Sequence, residues 1–304
     1  MKIVNFGSLN IDHVYDVEHF VRPGETIPSL AYQRLCGGKG LNQSIALAQS
    51  GSTVQHSGKI GGEGKHLLEK LSEFGVDVGL VASGPHPTGH AIIQVSPTGE
   101  NSIIVEGGSN RTIDSSDIDR IMSSLSENDW LLLQNEINAI DQILEATRNH
   151  PCTVVFNPAP MTAEVARLPL ELVDILILNE IEGAGLTGEA DPSLILNSLL
   201  DRYPNTKVVV TLGKNGAVYL DQSQQLHQAG FEVEPIDTTA AGDTFVGYFV
   251  TSLSSGHSAE ESLRIACRAS SICVTRRGAA DSIPSIKEVL ENTSEKIFRA
   301  DPPL

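Results

Sequence analysis

Five short apolar runs recur along the chain, each with the length of a buried β-strand. They read KIVNFGS, DWLLLQ, CTVVFN, DILILN and KVVVTLG, and they begin at residues 2, 129, 152, 174 and 207. Apolar runs without alternation are typical of strands that are covered on both faces of a parallel sheet. Stretches with helical periodicity accompany them at 41–51, 63–75, 139–149 and 192–203. The alternation predicts an α/β fold with a doubly wound, mostly parallel sheet flanked by helices.

Two regions interrupt this rhythm. Residues 11–35 mix polar and apolar positions around a RPGET turn, and residues 89–106 alternate on either side of SPTGEN, as in a β-hairpin. We therefore predict a small β-sheet lid built from about 11–35 and 89–106. With no repeat and no clear linker, we expect residues 1–304 to form a single domain.

Composition narrows the possible partners. The 304 residues include 40% hydrophobic ones and carry a net charge of −17, with Lys and Arg scattered along the chain. That balance argues against nucleic acid or an anionic membrane as the main partner. We expect a cytoplasmic protein, because the N-terminal apolar run is too short for a signal peptide and no run approaches a membrane span. Cys36, Cys152, Cys267 and Cys273 lack metal-binding spacing and fit reduced thiols.

Polar residues and glycines follow the predicted strands, at the edge where parallel sheets bind ligands. Each alone is an ordinary turn residue, but together they indicate a site: Asn10 and Asp12, Glu136, Asn179 and Glu182, and Gly213 and Gly216.

A glycine-rich segment, CGGKGLNQS at 36–44, precedes a predicted helix. It lacks the spacing of a phosphate-binding P-loop, and the chain has no GxGxxG that would indicate a dinucleotide site. A tight turn and a ligand loop both remain open. Lys39 and Asn42 favour the ligand loop, since a cation and an amide suit a hydroxyl-rich molecule.

The stretch IDTTAAGDTF at 236–245 indicates phosphoryl transfer. Ala240, Ala241 and Gly242 are predicted to form the first turn of a helix, where backbone N–H groups lack intrahelical partners and attract an anion. Asp243 in that turn could receive the proton of an attacking hydroxyl. The alternative is a simple helix cap, worth roughly 0.3–1 kcal/mol, but capping alone does not require Ala-Ala-Gly.

Six segments resemble, in order and spacing, the motifs of the phosphofructokinase-B, or ribokinase-like, family of sugar kinases. They are GSLNIDH (7–13), GGKGLNQS (37–44), NEIEG (179–183), TLGKNG (211–216), DTTAAGDTF (237–245) and VTRRGA (274–279). The resemblance spans about residues 3 to 290. It implies ATP-dependent phosphorylation of a sugar primary hydroxyl, with D-ribose as the favoured substrate. A deoxyribose or nucleoside kinase is the alternative within the family, and a non-catalytic sugar-binding protein is the alternative outside it.

The resemblance also implies roles for individual positions. Asp243 matches the catalytic base, and Ala240, Ala241 and Gly242 match the anion hole. Sugar-binding positions correspond to Asn10, Asp12, Gly38, Lys39, Asn42 and Glu136. Nucleotide-binding positions correspond to Asn179, Thr211, Gly213 and Gly216, with Cys267 where the family often carries a histidine near adenine.

Cations and assembly are implied in the same way. Glu182 lies in a motif linked to Mg²⁺, and a K⁺ site corresponds to Asp237, Ser282 and the carbonyls of Thr239, Cys273, Arg276 and Gly278. A homodimer that pairs through the lid is expected, because lid strands often pair between subunits in this family.

Overall fold

The computed structural model describes residues 1–291. The strands in chain order are β1 (Ile3–Phe6), β2 (Asn10–Asp16), β3 (Ala31–Gly37), β4 (Val54–Ile60), β5 (Asp77–Ser83), β6 (Gly89–Val95), β7 (Asn101–Glu106), β8 (Trp130–Gln134), β9 (Thr153–Asn157), β10 (Ile175–Asn179), β11 (Lys207–Thr211), β12 (Ala217–Leu220) and β13 (Gln225–Gln228). The helices are α1 (Lys39–Gln49), α2 (Lys65–Glu73), α3 (Ser115–Ser124), α4 (Ile140–Thr147), α5 (Glu180–Thr187), α6 (Pro192–Arg202), α7 (Ala241–Ser254), α8 (Ala259–Cys273) and α9 (Ile286–Glu291).

Nine strands form the main sheet in the order β13-β12-β11-β10-β9-β8-β1-β4-β5. Neighbouring strands run parallel except where β12 pairs with β11 and with β13. The predicted doubly wound, mostly parallel α/β sheet is therefore confirmed, and the five apolar runs are its five adjacent central strands. The sequence patterns had not identified the outer strands β4, β5, β12 and β13.

Alternate side chains of the central strands enter two cores, one on each face of the sheet. Ile3, Leu132 and Val155 pack in one core with residues of α1, α2, α7 and α8. Val4 and Leu131 pack in the other with residues of α3, α4, α5 and α6. This division follows from the two-residue repeat of a strand, and it explains why both faces had to be apolar.

A second, four-stranded sheet has the order β3-β2-β6-β7. Strands β6 and β7 pair antiparallel as the predicted hairpin, whereas β2 and β6 are parallel neighbours drawn from separate parts of the chain. The small sheet, as we call these four strands, begins at Asn10, directly beyond the end of β1, so it rises from the carboxyl edge of the main sheet. Among residues 1–291, no helix is long and apolar enough to cross a membrane.

Candidate active site

The N-terminus of α7 carries the candidate base. Ala240, which was predicted to lie in the first helical turn, is instead the residue before the helix and has a left-handed backbone with φ of 60°. The N–H of Ala241 contacts the carbonyl of Thr238 at 3.3 Å, and the carbonyl of Ala240 accepts the N–H of Thr244. The left-handed residue turns the chain sharply into the helix, a conformation that an L-residue adopts rarely and that sequence patterns do not signal.

Free N–H groups remain at this helix end. Within the described part of the chain, the N–H groups of Ala240, Gly242 and Asp243 donate to no protein acceptor. Unpaired amides at a helix N-terminus form a site for an anion, because their partial positive charges add to that of the helix dipole. The predicted anion-hole stretch therefore offers its donors mainly through Ala240 and Gly242, since Ala241 is already engaged.

Asp243 lies at the base of this turn with only 7% of its surface exposed. Its Oδ2 accepts a hydrogen bond from Asn42 Nδ2 at 3.0 Å, and its Oδ1 accepts one from Gln43 Nε2 at 2.9 Å. Both donors lie on α1, which packs against α7. The buried carboxylate is thus held by amides rather than by a direct salt bridge, so its remaining lone pairs are available to a substrate proton.

Lys39 supplies positive charge next to these acids. It is the first residue of α1, directly after Gly38, whose φ of 94° favours glycine. Attraction from Asp243 raises the pKa of Lys39 against the opposing effect of burial, and Glu136 and Glu182 add to the increase. The ammonium group is therefore charged at neutral pH.

Glu136 is hydrogen-bonded both to the turn after β1 and to the first residue of α1. It accepts the backbone N–H of Lys39 at 2.9 Å and a short hydrogen bond from the hydroxyl of Ser8. Asn10 is held in turn by Asn110, whose Nδ2 donates to Asn10 Oδ1 at 2.7 Å. Ser8 and Asn110 were not singled out from the sequence, since a lone Ser or Asn in a loop carries no distinctive signal.

Asp12 projects from β2 against Gly37 of the neighbouring strand β3. A Cβ atom on Gly37 would overlap the Asp12 carboxylate, so a larger residue there would displace that side chain. Burial, and then the negative charge of Glu136, raises the pKa of Asp12 to about 7. The predicted sugar-binding residues are therefore brought together: Asn10 and Asp12 from β2, Gly38, Lys39 and Asn42 around the start of α1, and Glu136 after β8.

Two adjoining cavities lie beside the start of α7. The smaller, of about 250 Å³, is lined by residues that include Lys39, Asn179, Glu182 and Asp243. The larger, of about 490 Å³, is lined by Thr211, Gly213, Lys214, Gly216, Gly230, Phe231, Glu232, Val233, Pro235, Thr238, Ala241, Gly242, Phe245, Cys267, Ser270, Ser271 and Val274. Thr211, Thr238 and Gly242 line both, so a ligand in the larger cavity can extend to Asp243 in the smaller.

The larger cavity contains most of the predicted nucleotide positions and others that the sequence did not indicate. Thr211, Gly213, Gly216 and Cys267 had been predicted, whereas the segment from Gly230 to Pro235 had not. That segment is irregular and has no motif of its own. Burial raises the pKa of Cys267 to about 12, so this thiol is protonated and acts as a small wall residue rather than as a nucleophile.

Asn179 and Glu182 begin α5 as a capping box. The Glu182 N–H donates to Asn179 Oδ1 at 2.8 Å, and the Asn179 N–H donates to Glu182 Oε2 at 2.9 Å. The spacing of a polar cap residue followed three positions later by Glu is itself a signature of this cap. Burial raises the pKa of Glu182, and the hydrogen bond from Asn179 and the charge of Lys39 offset this increase only in part.

The segments of the predicted K⁺ site meet beside the turn before α7. Asp237 accepts hydrogen bonds from Thr239 N, Thr239 Oγ1 and Gly278 N at 2.9, 2.6 and 3.0 Å. Burial opposes ionisation, but these hydrogen bonds lower the pKa of Asp237. Cys273 Sγ lies 3.1 Å from Ser282 Oγ, and the Arg276 side chain points away to Glu288.

Residues 1–291 contain no group of three or more His, Cys, Asp or Glu that could hold a metal ion. The donors at the predicted K⁺ site are one carboxylate, a hydroxyl and backbone carbonyls, which is a different type of site.

Comparisons with known proteins agree with this geometry. Residues 1–286 match the pfkB family carbohydrate kinase. The ribokinase of Haemophilus influenzae is 35% identical over 294 residues, covering 94% of this chain and 96% of the relative. A deoxyribokinase of Salmonella typhi is 30% identical over 304 residues, covering 97% and 99%. The structure of Arabidopsis thaliana ribokinase complexed with ribose and ATP superposes with a TM-score of 0.84 at 32% identity, covering 95% and 97%.

The family match spans nearly the whole described chain, and the relatives align over almost their full length. The chain therefore belongs to the pfkB family of carbohydrate kinases.

Proposed function

We propose that this protein transfers the γ-phosphoryl group of ATP to the primary hydroxyl of D-ribose, giving D-ribose 5-phosphate. The observation that carries the proposal is the position of Asp243. Its carboxylate is buried at the end of a helix with free N–H groups, and it faces a cavity that opens into a larger one.

Asp243 acts as the general base in this proposal. It takes the proton of the sugar hydroxyl as the oxygen attacks the phosphoryl group, a step that typically contributes 10²–10⁴-fold to the rate. The N–H groups of Ala240 and Gly242, and the Lys39 ammonium, stabilise the charge on the transferring group. Positioning and electrostatics account for most of the catalysis of phosphoryl transfer, so few other groups are needed.

The sugar binds between the small sheet and the start of α1. Asn42 Oδ1 is buried and has no hydrogen-bond partner within residues 1–291, so it is ready to accept from a sugar hydroxyl. The carboxylates of Asp12 and Glu136 add acceptors, and Lys39 adds a donor. A site of this kind discriminates strongly against analogues that lack a hydroxyl, since buried polar groups would be left unpaired.

ATP occupies the larger cavity. Its adenine ring lies among Phe231, Val233 and Cys267, and its phosphates extend past Thr238 and Gly242 toward Asp243. Because position 267 is a cysteine and not a histidine, the adenine ring is held by shape and apolar contact.

Two cations belong to the proposal. Mg²⁺ fits near Glu182, because this buried carboxylate forms no salt bridge with any residue from 1 to 291 and because oxygen ligands suit the ion. When bound with ATP, Mg²⁺ would offset the negative charge of the phosphates. K⁺ fits beside Asp237, Thr239 and Ser282 with the carbonyls of Cys273, Arg276 and Gly278, and it would stabilise the turn that presents the anion hole.

The preferred sugar is argued from the relatives. Ribokinases are among the relatives of highest identity, and a ribokinase complexed with ribose and ATP shares the fold. A deoxyribokinase at 30% identity keeps 2-deoxy-D-ribose as the second candidate substrate.

We further propose a homodimer that forms through the small sheet, in the cytoplasm. Ile103, Ile104 and Val105 of β7 are exposed in the single chain, and an open sheet edge with apolar residues favours pairing with another copy. All four cysteines are free, as suits a reducing compartment.

A coupled assay of ADP release tests the catalytic proposal. We expect turnover with D-ribose to exceed that with 2-deoxy-D-ribose, D-fructose and adenosine, and to be higher in K⁺ than in Na⁺. Asp243→Asn should lower kcat by at least 10²-fold, while calorimetry shows ribose still binding. Faster turnover of 2-deoxy-D-ribose than of D-ribose would make 2-deoxy-D-ribose the preferred substrate. An unchanged kcat in Asp243→Asn would overturn the assignment of Asp243 as the general base.

A further inference from the structure

We infer that Gln43 is a positioning residue for phosphoryl transfer, because it fixes the carboxylate of Asp243 from the side opposite the sugar. The inference rests on the proposed function, since it assumes that Asp243 is the base. Gln43 is completely buried on α1 and lies next to Asn42, one of the predicted sugar-binding residues.

All the hydrogen-bonding groups of the Gln43 side chain are used. Its Nε2 donates to Asp243 Oδ1 at 2.9 Å and to Asn157 Oδ1 at 3.0 Å, and its Oε1 accepts from Gln134 Nε2 at 2.7 Å. A buried amide with two donors and one acceptor engaged has a defined orientation. Gln43 therefore links the base to two strands of the main sheet, β9 and β8.

The neighbours of Gln43 determine which end of its amide faces Asp243. Asn157 Nδ2 donates to the carbonyl of Ile177 at 2.9 Å, so Asn157 must present its oxygen to Gln43. Gln134 Nε2 also donates to Asn5 Oδ1 at 2.8 Å, so Gln134 must present its nitrogen. A flipped Gln43 would place oxygen against oxygen and nitrogen against nitrogen, and it would also remove the donor to Asp243.

The hydrogen-bond network around Gln43 ends in groups that fix the orientation of its amides. Asn5 Nδ2 donates to the carbonyl of Gly40 and to Ser44 Oγ, both at 2.8 Å, and Ser44 Oγ lies 2.8 Å from His56 Nδ1. Burial lowers the pKa of His56 to about 3, so this imidazole is neutral at any working pH. Among the described residues that these buried hydrogen bonds join, Asp243 is therefore the only acid.

The two side-chain amides that donate to Asp243, those of Asn42 and Gln43, have different roles. Asn42 lies on the sugar side, and its free Oδ1 leaves it able to contact substrate, whereas Gln43 has no free group to offer a ligand. Gln43 thus restricts rotation of the carboxylate without binding sugar. Losing it should lower kcat while leaving the sugar KM nearly unchanged.

The test compares Gln43→Met and Gln43→Glu with the parent enzyme, using ribose and ATP. Methionine keeps the length of the side chain and removes the donor, and we expect kcat to fall about 10- to 100-fold with the ribose KM within 3-fold. Glutamate places a second acid against Asp243 and Asn157 Oδ1, so its kcat should fall further. In Asp243→Asn, adding Gln43→Met should cause little extra loss, because Gln43 acts through Asp243.

Thr251→Val is the matched control. Thr251 Oγ1 accepts from Ser50 Oγ at 2.6 Å, so it is a buried polar contact between the same two helices, two turns along α7 from the site. We expect a lower melting temperature and unchanged kcat. If Gln43→Met fails to fold, Asn157→Ala removes the acceptor that orients Gln43 and should give a smaller loss of kcat with the KM retained.

The outcomes separate the two proposals. A parent enzyme that turns over ribose, with Gln43→Met equal to it in kcat or fully additive with Asp243→Asn, would overturn the positioning role and leave the proposed function intact. An increase in ribose KM with kcat unchanged would assign Gln43 to binding and also overturn the role. A parent enzyme without turnover on any sugar would overturn both.

Discussion

Asp12 illustrates how a single side chain in the site opposes folding. Its pKa of about 7 lies above its usual value near 3.8, chiefly because of burial. Between these two pH values the folded protein binds one more proton than the unfolded chain. The free energy of unfolding attributable to Asp12 therefore falls as pH rises from about 4 to about 7, and the loss is complete above pH 7.

We predict that Asp12→Asn raises the melting temperature of the sugar-free protein at pH 8, since a neutral amide has no charge to desolvate. The gain should shrink as the pH falls and vanish near pH 4. Differential scanning fluorimetry across this range measures it, with Asp119→Asn on the exposed surface of α3 as the control. A gain that persists undiminished at pH 4 would contradict the titration argument, and ribose affinity should fall in Asp12→Asn at every pH.

Site residues that belong to a recognisable sequence motif were predictable. Site residues whose role depends on being buried in the fold were not. Asp243 could be identified because Ala-Ala-Gly before an acid has no purpose in ordinary capping. Gln43 could not, because a glutamine in a helix usually faces water, and only the structure shows it beneath Asp243 with 0% exposure. Ala240 was misplaced by one position, since nothing in an alanine signals a positive φ.

At the scale of elements, the contact between α1 and α7 aligns the base with its supports. Gly247 of α7 lies directly against Ala46 of α1, and a Cβ atom at position 247 would overlap the alanine side chain. The two helices approach closely because of this glycine. The hydrogen bonds from Asn42 and Gln43 to Asp243 depend on that spacing.

We predict that Gly247→Ala destabilises the fold by about 1–3 kcal/mol, the usual cost of overpacking, and lowers kcat as well. The added methyl group would separate the helices and lengthen the hydrogen bonds to Asp243. Urea denaturation and steady-state assays measure the two effects.

Gly256→Ala is the control for that substitution. Gly256 lies just beyond the other end of α7 with φ of 89° and open space around it. Alanine there should cost about 1 kcal/mol through backbone strain and leave kcat unchanged. Equal kcat in Gly247→Ala and the parent would show that the helix spacing does not govern the base.

Strands were predictable where a long run is apolar on both faces, and they were missed where buried polar residues, short length or an edge position intervenes. Strand β4 contains His56 and Ser57, both fully buried, so its sequence does not read as an apolar run. Strand β13 lies at the end of the sheet and alternates exposed with partly buried residues, whereas β12 is buried on both faces but has only four residues. Helix α7 was recognisable over its whole length, because its long apolar run covers the faces that pack against α1 and α8.

At the scale of the whole molecule, the small sheet has an exposed isoleucine of β7 on each of its two faces. In the strand register, Ile103 and Ile93 lie on the face that carries Asp12, and Ile104 and His13 lie on the opposite face. Ile103 is 51% and Ile104 65% exposed, so each can be changed without disturbing the core.

If the proposed dimer forms through the face that carries Asp12, Ile103→Asp should shift it toward monomer, and Ile104→Asp should not. A buried charge at the interface costs free energy that the exposed monomer does not. Size-exclusion chromatography with light scattering, over a range of protein concentrations, measures the shift. Dissociation by Ile104→Asp alone would place the interface on the opposite face, and a parent protein that is monomeric throughout would remove the dimer.

The fold as a whole followed from sequence more readily than the arrangement of its two sheets. Alternating strands and helices predict the main sheet, and the hairpin of β6 and β7 has a clear turn. The pairing of β2 with β6 joins segments that lie more than seventy residues apart, and local patterns contain no information on it.

Helix α1 has one consequence for changing the sugar that the enzyme accepts. In the proposed function, its first two turns bind the sugar through Lys39 and orient Asp243 through Asn42 and Gln43. They also rest on the backbone of Ser8, so an exchange there alters several contacts at once. In the same proposal, the small sheet contacts the sugar from the other side. Altered sugar specificity should therefore be reached by redesign of Asn10 and its neighbours on β2 and β6. The glycine-rich segment 36–44 at the start of α1 should be left unchanged.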